Sequence, residues 1–231
     1  MSYIVVRINF RNDLDNWMQA ITKKQSHGIL WECCIPIFLK EKMINKNNEE
    51  IAEIIESFLK EKYAVEDKAL LKYAKHLEQI LSGVSNKIFS IMERITEKSL
   101  YRNDFTGFIT TFPRGPYNTE SGYIWMIHDK DDQWQIGSFI HELLHMQFEY
   151  YYKDELLQII DEEHFSFLRE SMTVILNKEF ASIFPIDDKG YPLHKEFRKF
   201  LLELWGQRKS FSQFVHEAAK RMPDRIISPS V

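Results

Sequence analysis

At 231 residues, with 44% hydrophobic and 14% aromatic content, the chain can bury a sizeable core, as one larger domain or two closely packed subdomains. A net charge of −4 gives no reason to expect nucleic acid or an anionic membrane as a partner, and no stretch approaches the ~18 consecutive apolar residues of a membrane span. Met1-Ser2-Tyr3-Ile4-Val5-Val6 meets Arg7 and Asn9 too soon for a signal peptide, and the adjacent Cys33 and Cys34 form neither a disulfide framework nor a metal pair of usual spacing, so a reducing cytoplasmic setting is expected.

Tyr3 to Phe10 alternates like a strand, while the apolar segment from Ile29 to Phe38 is interrupted by Pro36 and stays unassigned. The polar run Asn45-Lys46-Asn47-Asn48 marks a loop. Beyond it, Glu49 to Lys62 carries Ile51, Ile54, Ile55 and Phe58 at helical spacing, and Asp67 to about Lys98 opens with Leu70, Tyr73, Leu77 and Ile80 in the same rhythm. Gly83 is expected to divide this second stretch into two helices, and His76, beside its stripe, reads as an ordinary helix residue. Phe105 to Phe112 and Gly122 to Ile127 read as two strands joined by the turn-rich Pro113-Arg114-Gly115-Pro116-Tyr117-Asn118, an ordinary hairpin being one arrangement. The chain thus divides into a mainly helical region, 1–104, and a back half, 105–231, that carries the chemistry.

Asp131-Asp132 can cap a helix running through Gln133 to His141, with acidic residues where the amino-terminal dipole favours them. Ile136, Phe139, Ile140, Leu143 and Leu144 gather on one side of it, and Gly137, His141 and His145 fall at successive steps of four on another. The pentamer His141-Glu142-Leu143-Leu144-His145 is His-Glu-x-x-His, in which two helical histidines bind zinc and the glutamate serves as general base. Chance alone gives on the order of 0.03 such matches in a chain of this composition, so context must decide between a metal site and two ordinary surface histidines. Gly137 is part of that context: a glycine costs about 1 kcal/mol in a helix interior, and one turn before His141 it leaves room for metal or substrate.

Catalytic zinc usually takes three protein ligands. Phe148 and Tyr151 occupy the positions where a metzincin would place its glycine and third histidine, which excludes that class. The run from Asp161 to Glu179 reads as a second helix with Phe165, Leu168, Met172 and Ile175 on its apolar stripe. Glu170 lies on the opposite side between Phe167 and Val174, a semi-apolar setting that disfavours a carboxylate without a cation, whereas Glu162 and Glu163 are explained by the helix start. Asp187-Asp188-Lys189-Gly190-Tyr191-Pro192 makes a turn, followed by helices over roughly Leu193 to Trp205 and Phe211 to Met222. His216-Glu217-Ala218-Ala219-Lys220 imitates the motif, but Lys220 replaces the second histidine and the segment reads as surface helix.

With His141-Glu142-Leu143-Leu144-His145 followed by Glu170-Ser171-Met172-Thr173, the chain resembles the gluzincin metallopeptidases over roughly positions 105 to 180. Thr173 matches the family's small hydroxyl residue, but Val174 replaces the aspartate that orients a ligand histidine, so that partner must come from elsewhere, with Glu149, Asp154 and Asn177 as candidates. The spacing to the glutamate is also longer, since in the aminopeptidase and thermolysin types it would fall near His164 or Phe165.

The resemblance implies an α+β, mostly helical protein with a zincin-like catalytic core, a small sheet and an active-site helix. It implies Zn2+ held by His141, His145 and Glu170, Glu142 as the base that activates water, and a peptide or protein substrate. It also implies a strand lining the cleft, for which Gly122-Tyr123-Ile124-Trp125 is placed, and an oxyanion stabiliser, for which Tyr191 and His194 are nearest by position. The rival readings are a zinc-bearing regulatory or binding protein without turnover and a helical interaction protein with a chance motif. Oligomeric state is left open.

Overall fold

The alternation at the amino terminus forms strand β1 (Tyr3–Ile8), which buries Ile4 and Val6. The structure is a computed structural model and describes residues 2–222, apart from 24, 27, 28, 183, 185 and 186. Helix α1 (Phe10–Lys23) follows and buries Asp13, Asn16, Trp17 and Ala20. A short antiparallel ladder of β2 (Gln25–Ser26) and β3 (Ile29–Leu30) leads into a 3-10 turn, Trp31–Cys34, and then α2 (Ile37–Met43). The unassigned segment from Ile29 to Phe38 is therefore three small pieces, and Pro36 stands immediately before α2, where its missing N–H costs nothing.

Helix α3 (Asn48–Thr96) is continuous over 49 residues and opens with a capping box in which Asn47 and Glu50 satisfy each other's backbone N–H groups. The expected break at Gly83 does not occur. Gly83 is exposed and its missing side chain faces open space, while Leu77, Leu81, Ile88 and Met92 on either side are fully buried. Tertiary packing on both flanks outweighs the ~1 kcal/mol that one glycine removes.

Strands β4 (Asp104–Thr110), β5 (Tyr117–Asn118) and β6 (Tyr123–Ile127) complete a four-stranded sheet in the order β1-β4-β6-β5. β4 pairs in parallel with both β1 and β6, so the two strands expected as a possible hairpin run in the same direction. The turn-rich connection between them swings back as β5, antiparallel to β6, with Trp125 N donating to Pro116 O at 2.8 Å. β6 is consequently an inner strand, and the edge belongs to β5.

Helix α4 (Asp132–Leu156) starts as the capping argument predicts, with Asp131 accepting from Trp134 N at 2.8 Å. The run expected as one helix from Asp161 to Glu179 is two, α5 (Glu162–Met172) and α6 (Val174–Glu179), divided at Thr173. The Thr173 hydroxyl donates to Glu170 O at 2.9 Å, a local bond that competes with the helix ladder. A 3-10 turn, Pro192–His194, then leads into α7 (Lys195–Gln207) and α8 (Phe211–Lys220).

The protein is α+β and mostly helical. Ile4, Leu81, Ile109, Phe139, Leu143, Leu168 and Trp205 belong to one core, so chain on both sides of position 104 shares a sheet and a core. A smaller cluster joins Trp17, Trp31, Leu39, Leu59 and Phe112 beneath α1 and α2. Among the described residues no helix is long and apolar enough to cross a membrane.

Candidate metal centre

The four-residue step on α4 places the rings of His141 and His145 with centroids 4.4 Å apart, nearly perpendicular. The break at Thr173 ends α5 just beyond Glu170, whose carboxylate meets both: Oε2 lies 3.3 Å from His145 Nε2 and 3.8 Å from His141 Nε2. One ligand atom from each residue falls within 4.8 Å of the others. Glu170 is buried between buried Phe167 and Val174, while Glu162 and Glu163 stand exposed in the first turn of α5, as the contrast drawn from the sequence anticipates.

His145 is buried, and its Nε2, 3.3 Å from Glu170 Oε2, makes no hydrogen bond of good geometry, nor does its Nδ1. A buried imidazole so poorly bonded is costly, and a cation between the three residues would satisfy it. Burial, reinforced by the neighbouring His141, pulls its pKa down to about 4, so the ring is neutral at neutral pH and one nitrogen offers a lone pair. Burial would pull His141 down too, but hydrogen bonds to Asp188 and Glu170 outweigh it and hold the ring well above the usual histidine range. Glu170 is held well below the usual carboxylate range by His145, His141 and Arg169 despite its burial. Two carboxylates, Asp188 and Glu170, thus converge on the ring of His141.

The support around these groups is extensive. Nδ1 of His141 donates to Asp188 Oδ2 at 2.6 Å. Asp188 is fixed in turn by Arg198 Nη2 at 2.9 Å, by Gly190 N at 2.9 Å, and by reciprocal 2.8 Å bonds between its backbone and the side-chain amide of Asn177. The carboxylate partner that Val174 cannot provide thus comes from the turn after α6. Of the three candidates named for it, Asn177 stands behind Asp188, Glu149 serves the other side, and Asp154 is exposed. On that other side Arg169 bridges Glu170 Oε1 at 2.9 Å and Glu149 Oε1 at 2.7 Å, and Glu149 accepts further from Tyr117 at 2.5 Å and from Thr119. The Tyr117 ring lies 5.5 Å from that of His145.

The cluster opens into a cleft of about 1000 Å³. Glu142 lines it, and burial, with Glu170 nearby, pushes its carboxyl up to about 8 although His141 opposes the shift. Gly137 also lines it, and the position of a Cβ there is open space, which fits a glycine that leaves room. Tyr191 reaches the cleft wall and lies within the electrostatic reach of Glu170 and Glu142. His194 does not line the cleft. It is buried behind it, with its ring 4.4 Å from Phe167 and 5.4 Å from Tyr191. Gly122 to Trp125, placed as the strand lining the cleft, is covered there by β5, and the segment from Pro113 to Glu120 forms the wall instead. His76 and His216 lie outside the cluster, paired at the surface with Asp132 and Glu155.

Comparison with protein-family models, with curated proteins and with solved structures finds no match.

Proposed function

We propose that this chain is a zinc-dependent metallopeptidase with a zincin-like core, acting in the cytoplasm on a peptide or protein substrate. What carries the reading is the convergence of His141, His145 and Glu170 within 4.8 Å in a cleft that Glu142 also lines. Two imidazoles and a carboxylate are the donor set that zinc takes in hydrolytic sites with an open position.

When bound, the ion supplies Lewis acidity toward the substrate carbonyl and lowers the pKa of water. His141 and His145, whose Nε2 atoms face the Glu170 carboxylate, would hold it together with Glu170. Asp188 fixes the ring of His141 through Nδ1, and Arg169 fixes Glu170 from behind, so the ligands are preorganised. Glu142 takes the proton of the attacking water and returns it to the leaving amine. Tyr191, at the cleft wall, donates a hydrogen bond from its phenol to the oxygen that gains charge in the transition state. His194, whose buried ring lies 5.4 Å from that of Tyr191, is the other candidate for this role.

Metal analysis of the purified protein, with turnover of a peptide library, tests the reading. One zinc per chain is expected, lost in His141→Ala and in His145→Ala. Glu142→Gln keeps zinc and fold and loses roughly 10²–10⁴-fold in turnover. Full zinc in either histidine variant sinks the site. Zinc without hydrolysis in the parent leaves a binding protein, and parent-rate turnover by Glu142→Gln sinks the mechanism.

A further inference from the structure

Three arginines surround the cleft or its supports, and two are matched. Arg169 pairs with Glu149 and Glu170, and Arg198 with Asp188 at 2.9 Å. Arg114, on the cleft wall between β4 and β5, pairs with no carboxylate among the described residues. It is half-buried and held by neutral groups: Nη1 donates to Asn16 Oδ1 at 3.1 Å and to Gln19 Oε1 at 3.5 Å, and the guanidinium lies 5.9 Å from the centre of the Trp31 ring.

Its placement is strongly determined. Asn16 is fully buried on α1, and its Nδ2 donates to Arg114 O at 2.8 Å and to Thr110 Oγ1 at 2.9 Å while its Oδ1 receives the guanidinium. One amide therefore fixes both the backbone and the head group of Arg114. Among the described residues, the other edge of the guanidinium, Nε and Nη2, has no hydrogen-bond acceptor. Glu142 and Tyr191 line the same cleft as Arg114. A partly desolvated cation held rigidly by amides and an aromatic face is unfavourable unless an anion joins it, and a guanidinium edge matches a carboxylate bidentately.

We propose that Arg114 anchors a carboxylate of the ligand, so that this protein selects peptides presenting a negative group, an acidic side chain or a free C-terminus, beside the bond to be cleaved. The inference rests on the metallopeptidase reading for the ligand being a peptide, but carboxylate recognition is measurable without turnover.

The test is binding of three fluorescently labelled peptides of equal length to the zinc-loaded Glu142→Gln protein, followed by anisotropy. One has a free C-terminal carboxylate, one is amide-capped, and one is amide-capped with a single internal Glu. At least one carboxylate-bearing peptide is expected to bind about 10–100-fold more tightly than the neutral one, which is the usual worth of a charged bidentate contact. Which of the two does so identifies the source of the carboxylate. Arg114→Gln, with an unchanged melting temperature, should collapse that preference, and Arg114→Lys should restore only part of it. Equal binding of all three peptides, binding of none, or a preference that survives Arg114→Gln overturns the proposal. A carboxylate preference lost in Arg114→Gln, in a protein whose parent form cleaves nothing, upholds the anchor and removes the peptidase reading instead.

Discussion

Asp188 Oδ2 lies 2.6 Å from Nδ1 of His141 and ties the turn after α6 to the helix that carries both histidines. The contact fixes the ring's tautomer and aims Nε2 at Glu170, and such supporting carboxylates typically contribute 10–100-fold to metal affinity. Asp188→Ala should weaken zinc binding by about that factor in a chelator competition. It also strands Arg198, whose side chain is 6% exposed, so a loss of about 3–5 kcal/mol of stability is expected and the titration belongs well below the variant's melting temperature. Parent-level zinc affinity in folded Asp188→Ala would refute the supporting role.

Gly83 offers a test of the long helix. With no heavy atom within 4 Å of the place a Cβ would take, Gly83→Ala removes a helix-interior glycine without a clash. A gain of roughly 0.5–1 kcal/mol is expected, visible as a melting temperature higher by about 2–4 °C for a chain of this size. A fall in melting temperature would mean that α3 bends or breaks there in solution.

Glu179 sets a pH dependence. Burial alone would raise its pKa, but the Trp205 indole donating at 2.8 Å and Arg94 at 2.9 Å hold it below the ordinary 4.5. A carboxylate with a lowered folded-state pKa contributes stability that is fully present above the unfolded value and is lost as pH falls through the folded one. Glu179→Gln should therefore destabilise by about 1 kcal/mol at pH 7, after solvent screening of the Arg94 contact, and by progressively less as pH falls below 4.5. Melting curves at the two ends of that range decide it, and a difference that stays constant with pH would show that packing rather than charge is involved.

Local rules carried the sequence reading as far as local physics reaches. The Asp131 cap, the His141 and His145 step and the burial contrast between Glu170 and Glu163 all follow from helical geometry within a turn or two. Asp188 was missed as a partner of His141 because no periodicity links a turn residue to a helix 47 positions away. Helix α1 was missed because its buried face holds Asp13 and Asn16, whose bonds to Thr110, Thr111 and Arg114 replace the apolar stripe that periodicity detects. The direction of β6 relative to β4 was equally hidden, since an apolar run records that a strand is buried and not which neighbour it takes.

The break at Thr173 links the site to the last part of the chain. Arg198 of α7 donates to the Thr173 hydroxyl at 2.8 Å and to Asp188, so docking of α7 helps hold the carboxylate behind His141. The three would-be ligands lie on α4 and α5 and can meet earlier, but as a looser set. Any ion that prefers the finished geometry then favours the docked arrangement by its difference in affinity for the two. With a metal bound, loading and closure of the carboxy-terminal helices would be a single coupled equilibrium, and a chelator would act as a mild denaturant of a region that contributes no ligand.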